Sequence, residues 1–201
     1  KESFLLTKSK KMKLQILEGM MASLGKIDKK DKVYRKYGKF AFENYIALER
    51  KLESKRDIYP LLFKIYLDDL NIDGAEKILT GYNKAFPAQL KTTESMLATL
   101  LDHQMVKSNK KQFLRWVQRI NSKEFKVTNK LAHSIKINAL NIQFKDVEKS
   151  SDVGLKSKAL QGYYQVYNEP LSTDEAKKNA AYNIAVLYYE LKYPEKMYQW
   201  S

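Results

Sequence analysis

In the stretch Ala181–Trp200, AYNIAVLYYELKYPEKMYQW, small or apolar residues recur at Ala181, Ile184, Ala185 and Tyr188. This is the i, i+3, i+4, i+7 spacing of one helix face. Lys192-Tyr193-Pro194 then interrupts, and a second short helix from Glu195 to Trp200 turns Met197 and Trp200 back toward the first. Two short helices with apolar inner faces, joined by a tight turn, cannot bury those faces alone. Such units stack, so the rest of the chain is expected to supply further helical pairs.

A second copy lies in Tyr59–Pro87, where Tyr59, Leu62, Tyr66, Ala75, Leu79 and Pro87 fall at matching places. Asp73-Gly74 sits in the turn, where glycine relaxes the backbone constraint, and Pro87 closes the second helix because it cannot continue one. The pattern resembles a tetratricopeptide repeat. That resemblance implies an α-solenoid of about five stacked antiparallel hairpins, in which the first helix of each pair lines a concave groove for an extended peptide or a partner helix. Carried over by register, the groove positions are Asp57, Lys64, Leu67 and Asp68 in one unit. In the last unit they are Asn179, Tyr182, Asn183, Val186, Tyr189 and Glu190, with Asn183 matching a peptide-holding asparagine of the family. Phe63 and Tyr82 stand where the family prefers small residues, so the two helices are expected to splay there or the gap to the next pair to widen. Pro60 and Leu61 occupy places that the family's carboxylate clamp reserves for basic groups, which argues against a chaperone-tail receptor.

The remaining helices follow from the same periodicity. Ser3–Leu24 reads as one helix with Leu14, Leu17, Met21 and Leu24 on a stripe, and Lys32–Ser54 as a long one with Tyr37, Phe40, Ala41, Tyr45 and Leu48 inward. These form an N-terminal pair over 1–54; hairpins follow over 55–87, 91–122, 126–168 and 173–201. Ser172, Thr173 or Asp174 can cap the first helix of the last hairpin. The step from Tyr59 to Ala181 implies units of about 41 residues, against about 34 in a regular array, so the middle units are longer or irregular. No linker or composition shift marks a second domain, and one solenoid is expected. The start at Lys1 and the stop at Ser201, about two turns into a helix, read as a piece of a longer helical protein.

Composition agrees with an all-α reading. In 201 residues, 44% are hydrophobic and 12% aromatic, enough for a core, while 7 Gly and 4 Pro with few Val-Ile-Thr alternations disfavour sheets. Cysteine is absent, which excludes disulfides, thiolate catalysis and Cys-ligated zinc. Its absence fits an exported bacterial protein that avoids stray thiols, although a cytoplasmic one could lack it too. No apolar run approaches the length of a membrane span. The basic start of the chain, with Lys8, Lys10, Lys11 and Lys13, could lie on an anionic membrane; the plainer reading packs its stripe on the next helix.

Net charge is +14, which points to an acidic partner or surface. Of 37 basic residues, however, only Arg35, Arg50, Arg56, Arg115 and Arg119 are arginine, the residue that phosphate and base recognition favours. The sharpest basic feature is Lys107, Lys110, Lys111, Arg115 and Arg119, with Lys111, Arg115 and Arg119 at i, i+4, i+8 on one face. Over 107–136, nine basic residues face Glu124 alone. Three readings stay open for this stripe: a solvated face, a site for an acidic protein segment, or a nucleic-acid surface.

Catalytic chemistry finds little support. His103 and His133 stand apart from any second histidine at metal-pair spacing. Asp68, Asp69, Asp73 and Glu76 lack the spacing of a calcium loop, and Gly-rich phosphate loops and a serine elbow are missing. The expected function is a non-catalytic, cofactor-free scaffold that binds an acidic or amphipathic protein segment. The alternative is a nucleic-acid-binding helical repeat using 107–136.

Overall fold

A computed structural model describes residues 1–106 and 110–200. The described residues form eleven α-helices and no strand. In chain order they are α1 (Glu2–Leu6), α2 (Lys10–Leu24), α3 (Lys32–Leu48), α4 (Ile58–Asp68), α5 (Ile72–Ala85), α6 (Leu90–Val106), α7 (Lys110–Asn121), α8 (Asn129–Lys149), α9 (Val153–Asn168), α10 (Asp174–Glu190) and α11 (Pro194–Tyr198). They gather into two compact units, Lys1–His103 and Gln104–Ser201, with the division inside α6 rather than at any composition shift.

In the first unit, the single helix expected over 3–24 is two. The chain turns extended at Thr7, and Ser9 restarts the helix by accepting a hydrogen bond from Met12 N at 3.4 Å. A serine there satisfies an otherwise orphaned N–H, which is why a break is tolerated. The α2 stripe turns inward: Leu17 and Leu24 are fully buried with Tyr34, Ala41, Phe42 and Tyr45 of α3 and Leu62 and Ile65 of α4, and Leu14 and Met21 pack against them. That stripe is therefore core and not a membrane face. The second helix is shorter than expected as well, ending at Leu48, where Glu49 is extended and its carboxylate accepts from Lys51 N at 2.7 Å.

The α4–α5 pair is built on two tyrosine–glycine contacts. Tyr66 lies over Gly74, and Tyr59 over Gly81. Each tyrosine is seven positions from the other, as is each glycine, so the two contacts repeat along an antiparallel pair. Phe63 and Tyr82, bulky where small residues were expected, are both buried. Tyr82 and Phe86 stack with ring centroids 5.0 Å apart, and Tyr59 meets them edge-on. Asn71 caps α5 by accepting from Gly74 N at 2.9 Å. On α6, Met96, Leu97, Leu100 and Leu101 are all buried, as their spacing predicts.

In the second unit, α8, α9 and α10 pack as an antiparallel set, with α8 touching both others. Leu140 of α8 approaches Gly162 of α9 so closely that an added Cβ would stand 2.7 Å from its methyl carbon. Ala159, Tyr163 and Val166 of α9 share a core with Ala180, Ile184, Leu187 and Tyr188 of α10. Of the possible caps for α10, Thr173 takes the role, accepting from Ala176 N at 3.2 Å. Ser172 is buried instead and donates to the Val166 carbonyl. After α10, Lys192 adopts φ 61°, and α11 folds back with Pro194 in its first turn.

Candidate protein-binding surface

The residues expected to form a groove on α10 divide between its two sides. Tyr182 and Tyr189 are seven positions apart, so they project from one face two turns apart. They are 68% and 66% exposed. With Lys178, Ala181, Ala185 and Val186 of α10, and Met197 and Trp200 from the returning segment, they line a shallow groove of about 560 Å³. Trp200 forms one wall and is itself fixed, its ring edge-on to Tyr164 at 5.0 Å and Tyr167 at 4.8 Å. Asn179 is exposed on the same helix.

Two expected groove residues point into the fold. The Glu190 carboxylate receives the Lys156 ammonium at 3.0 Å, and Lys156 is buried at the start of α9. A buried cation needs such a partner, so Glu190 is committed to the α9–α10 interface. The Asn183 amide faces the Tyr163 hydroxyl, which donates to Asn141 Oδ1 at 3.2 Å. Burial dominates at Tyr163 and pushes its pKa up to about 12. The amide of Asn183 thus positions a core tyrosine.

In the first unit, Lys64 and Asp68 are exposed on α4. Leu67 is core rather than groove, because α4 is covered on that side. Asp57 lies beside Arg56, with 3.4 Å between Nε and Oδ1.

The basic stripe is less open than its spacing implies. Lys107 lies outside the described residues. Lys110 is ion-paired with Asp146 of α8. The Arg119 guanidinium stacks over Trp116 and Phe125, 4.1 and 4.8 Å from their centroids. It also forks onto the Glu124 carboxylate, with Nε 2.8 Å from Oε2. That hydrogen bond holds the Glu124 pKa below its ordinary value. Helical spacing placed Arg119 on the face of Arg115, but Glu124 and Phe125, just beyond the helix end, draw it in. Lys111 and Arg115 stay exposed.

His133 Nε2 is 2.7 Å from Ser172 Oγ, but the serine proton is given to the Val166 carbonyl, so the pair pins the α9–α10 turn to α8. Among the described residues no group of three or more His, Asp or Glu side chains is placed to hold a metal ion. Asp69, in the acidic cluster, faces Arg35 at 3.4 Å.

The repeat resemblance marked Tyr182, Val186 and Tyr189, and the helical pattern marked Met197 and Trp200 as facing back toward α10. It missed Lys178 and assigned Ala181 and Ala185 to packing alone. The signal available for these was their shared face with Tyr182 and Tyr189 at i±3 and i±4. No family model, curated protein or solved structure matches the chain.

Proposed function

We propose that this chain is a non-catalytic protein-interaction module, a tetratricopeptide-like solenoid of helical hairpins that takes a partner's amphipathic segment, acidic at one end, in the α10–α11 groove. The observation that carries this reading is the pair of exposed tyrosines, Tyr182 and Tyr189, beside the walls made by Met197 and Trp200. Tyrosine and tryptophan supply large, stiff, amphipathic contact area, the composition found at binding hot spots. An amphipathic helix reads such a groove through apolar residues at i, i+3, i+4 and i+7, and Lys178 at its edge favours a carboxylate on the incoming segment. Hairpin stacking is supported by α8 packing on both α9 and α10. The nucleic-acid alternative over 107–136 has less support, since Lys110 and Arg119 are already paired within the fold.

The test captures partners from native lysate with the wild-type protein and with Tyr182→Ala/Tyr189→Ala, before and after nuclease. Proteins that survive nuclease on the wild type and are lost from the double variant support the reading. Equal retention by both proteins, or loss of all bound material with nuclease, overturns it.

A further inference from the structure

The corner between α1 and α2 carries apolar side chains that the fold does not use. Phe4 is the anchor of α1: it is buried, its ring edge-on to Phe40 at 5.3 Å, with the Lys13 ammonium 4.9 Å above it. Lys1 lies over Phe40 at 5.2 Å. With Phe4 held, its neighbours Leu5 and Leu6 are turned outward and are 65% and 83% exposed. Met12, in the first turn of α2, is 54% exposed. A buried aromatic clamp thus holds two leucines in water, where each loses the burial that a core would give it.

The surroundings are cationic. Residues 1–13 include Lys1, Lys8, Lys10, Lys11 and Lys13 against Glu2 alone. Lys8, Lys10 and Lys11 are exposed between the leucines and Met12 or beside them. Lys10, Lys11 and Arg50 also share the adjoining groove with Glu18 and Glu49, so cations remain in excess there too.

We propose that this corner is a docking site for an anionic lipid surface, with Leu5, Leu6 and Met12 entering the acyl boundary and Lys8, Lys10 and Lys11 meeting the headgroups. Two features favour a bilayer over a folded partner. Side chains this exposed have no walls around them, so they fit a fluid apolar layer better than a shaped pocket. Lysines next to apolar residues also match the layering of an interface, with charge at the headgroups and hydrocarbon just beneath. Binding of this kind is weak and reversible, and it is independent of the α10–α11 groove.

The test is co-sedimentation of the full chain with vesicles of zwitterionic phospholipid, with and without about a third of anionic phospholipid, at low and high salt. Wild type should sediment with anionic vesicles at low salt and be released by high salt. Removing a lysine should weaken partitioning about fivefold per charge, the factor that ~1 kcal/mol per residue corresponds to. Lys8→Gln/Lys11→Gln therefore loses about 25-fold. Leu5→Ser/Leu6→Ser should lose tenfold or more with its circular dichroism and melting unchanged, since neither leucine supports the core. A Leu6→Trp reporter should shift its fluorescence to the blue only with anionic vesicles. Failure of the wild type to sediment with anionic vesicles overturns the proposal. So does a folded Leu5→Ser/Leu6→Ser protein that binds as well as wild type.

Discussion

The ring of Tyr66 occupies the space that a side chain on Gly74 would need: a Cβ there would stand 2.2 Å from Tyr66 Cδ1. Tyr66 cannot swing away cheaply. Its hydroxyl donates to Glu43 of α3, and the Lys39 ammonium lies 4.6 Å over its ring. Three helices are thus tied through one side chain, and the glycine opposite it is what lets them close.

Gly74→Ala should therefore destabilise the protein by about 1–3 kcal/mol, the usual cost of overpacking, although alanine is the better helix former. Gly19→Ala in α2 is the matched control, because nothing lies within 4 Å of the added carbon. That change should stabilise by about 0.4–1 kcal/mol. Urea denaturation of both variants checks the contrast, and equal effects would refute it.

Alkaline titration should single out two tyrosines. The pKa of Tyr66 is raised to about 12, by burial first and then by its bond to Glu43. Tyr163 reaches about 12 through burial. A raised pKa means that the folded state prefers the neutral phenol. The stability gained is then fully present below pH 10, near the unfolded value, and is lost as pH rises through about 12. Tyr163→Phe should weaken the dependence of stability on pH over that window. An unchanged slope would contradict the assignment.

Breaking the Lys156–Glu190 pair should cost stability. Glu190→Gln leaves a buried ammonium with a weaker acceptor, and a loss of about 2 kcal/mol is expected, below the 3–5 kcal/mol of fully buried pairs because Glu190 is partly exposed. Lys156→Met/Glu190→Leu should recover most of it. Thermal melting of the three proteins separates these outcomes.

Arg119→Glu should lower the melting temperature, because it removes the stack on Trp116 and Phe125 and sets a second carboxylate against Glu124. Lys111→Glu, on the same helix but exposed, should stay within about 0.5 kcal/mol of wild type. Similar losses in both would mean that Arg119 is not integral to the fold.

Much of the architecture was legible in the chain before its packing was known. Helical class, the breaks at Gly25, Pro87 and Pro194, and the inward stripes of α2, α6 and α10 follow from spacings of three and four residues and from residues that cannot continue a helix. A cap such as Thr173 acts over three positions, so its signal is local. The break at Ser9 was local as well, but it was masked by an apolar pattern that continues on either side.

What only the tertiary structure decided are the fates of side chains whose partners lie far along the chain. Asn183 and Glu190 share α10 with Tyr182 and Tyr189, and periodicity alone allows all four to face a groove. Tyr163 and Lys156, 20 and 34 positions away, draw the first two inward and leave the tyrosines to solvent. Tyr66 finds Gly74 only because α4 and α5 pair antiparallel in one register. Helix formation is a property of neighbouring residues, whereas exposure depends on which distant surface arrives to cover them, and no local spacing encodes that.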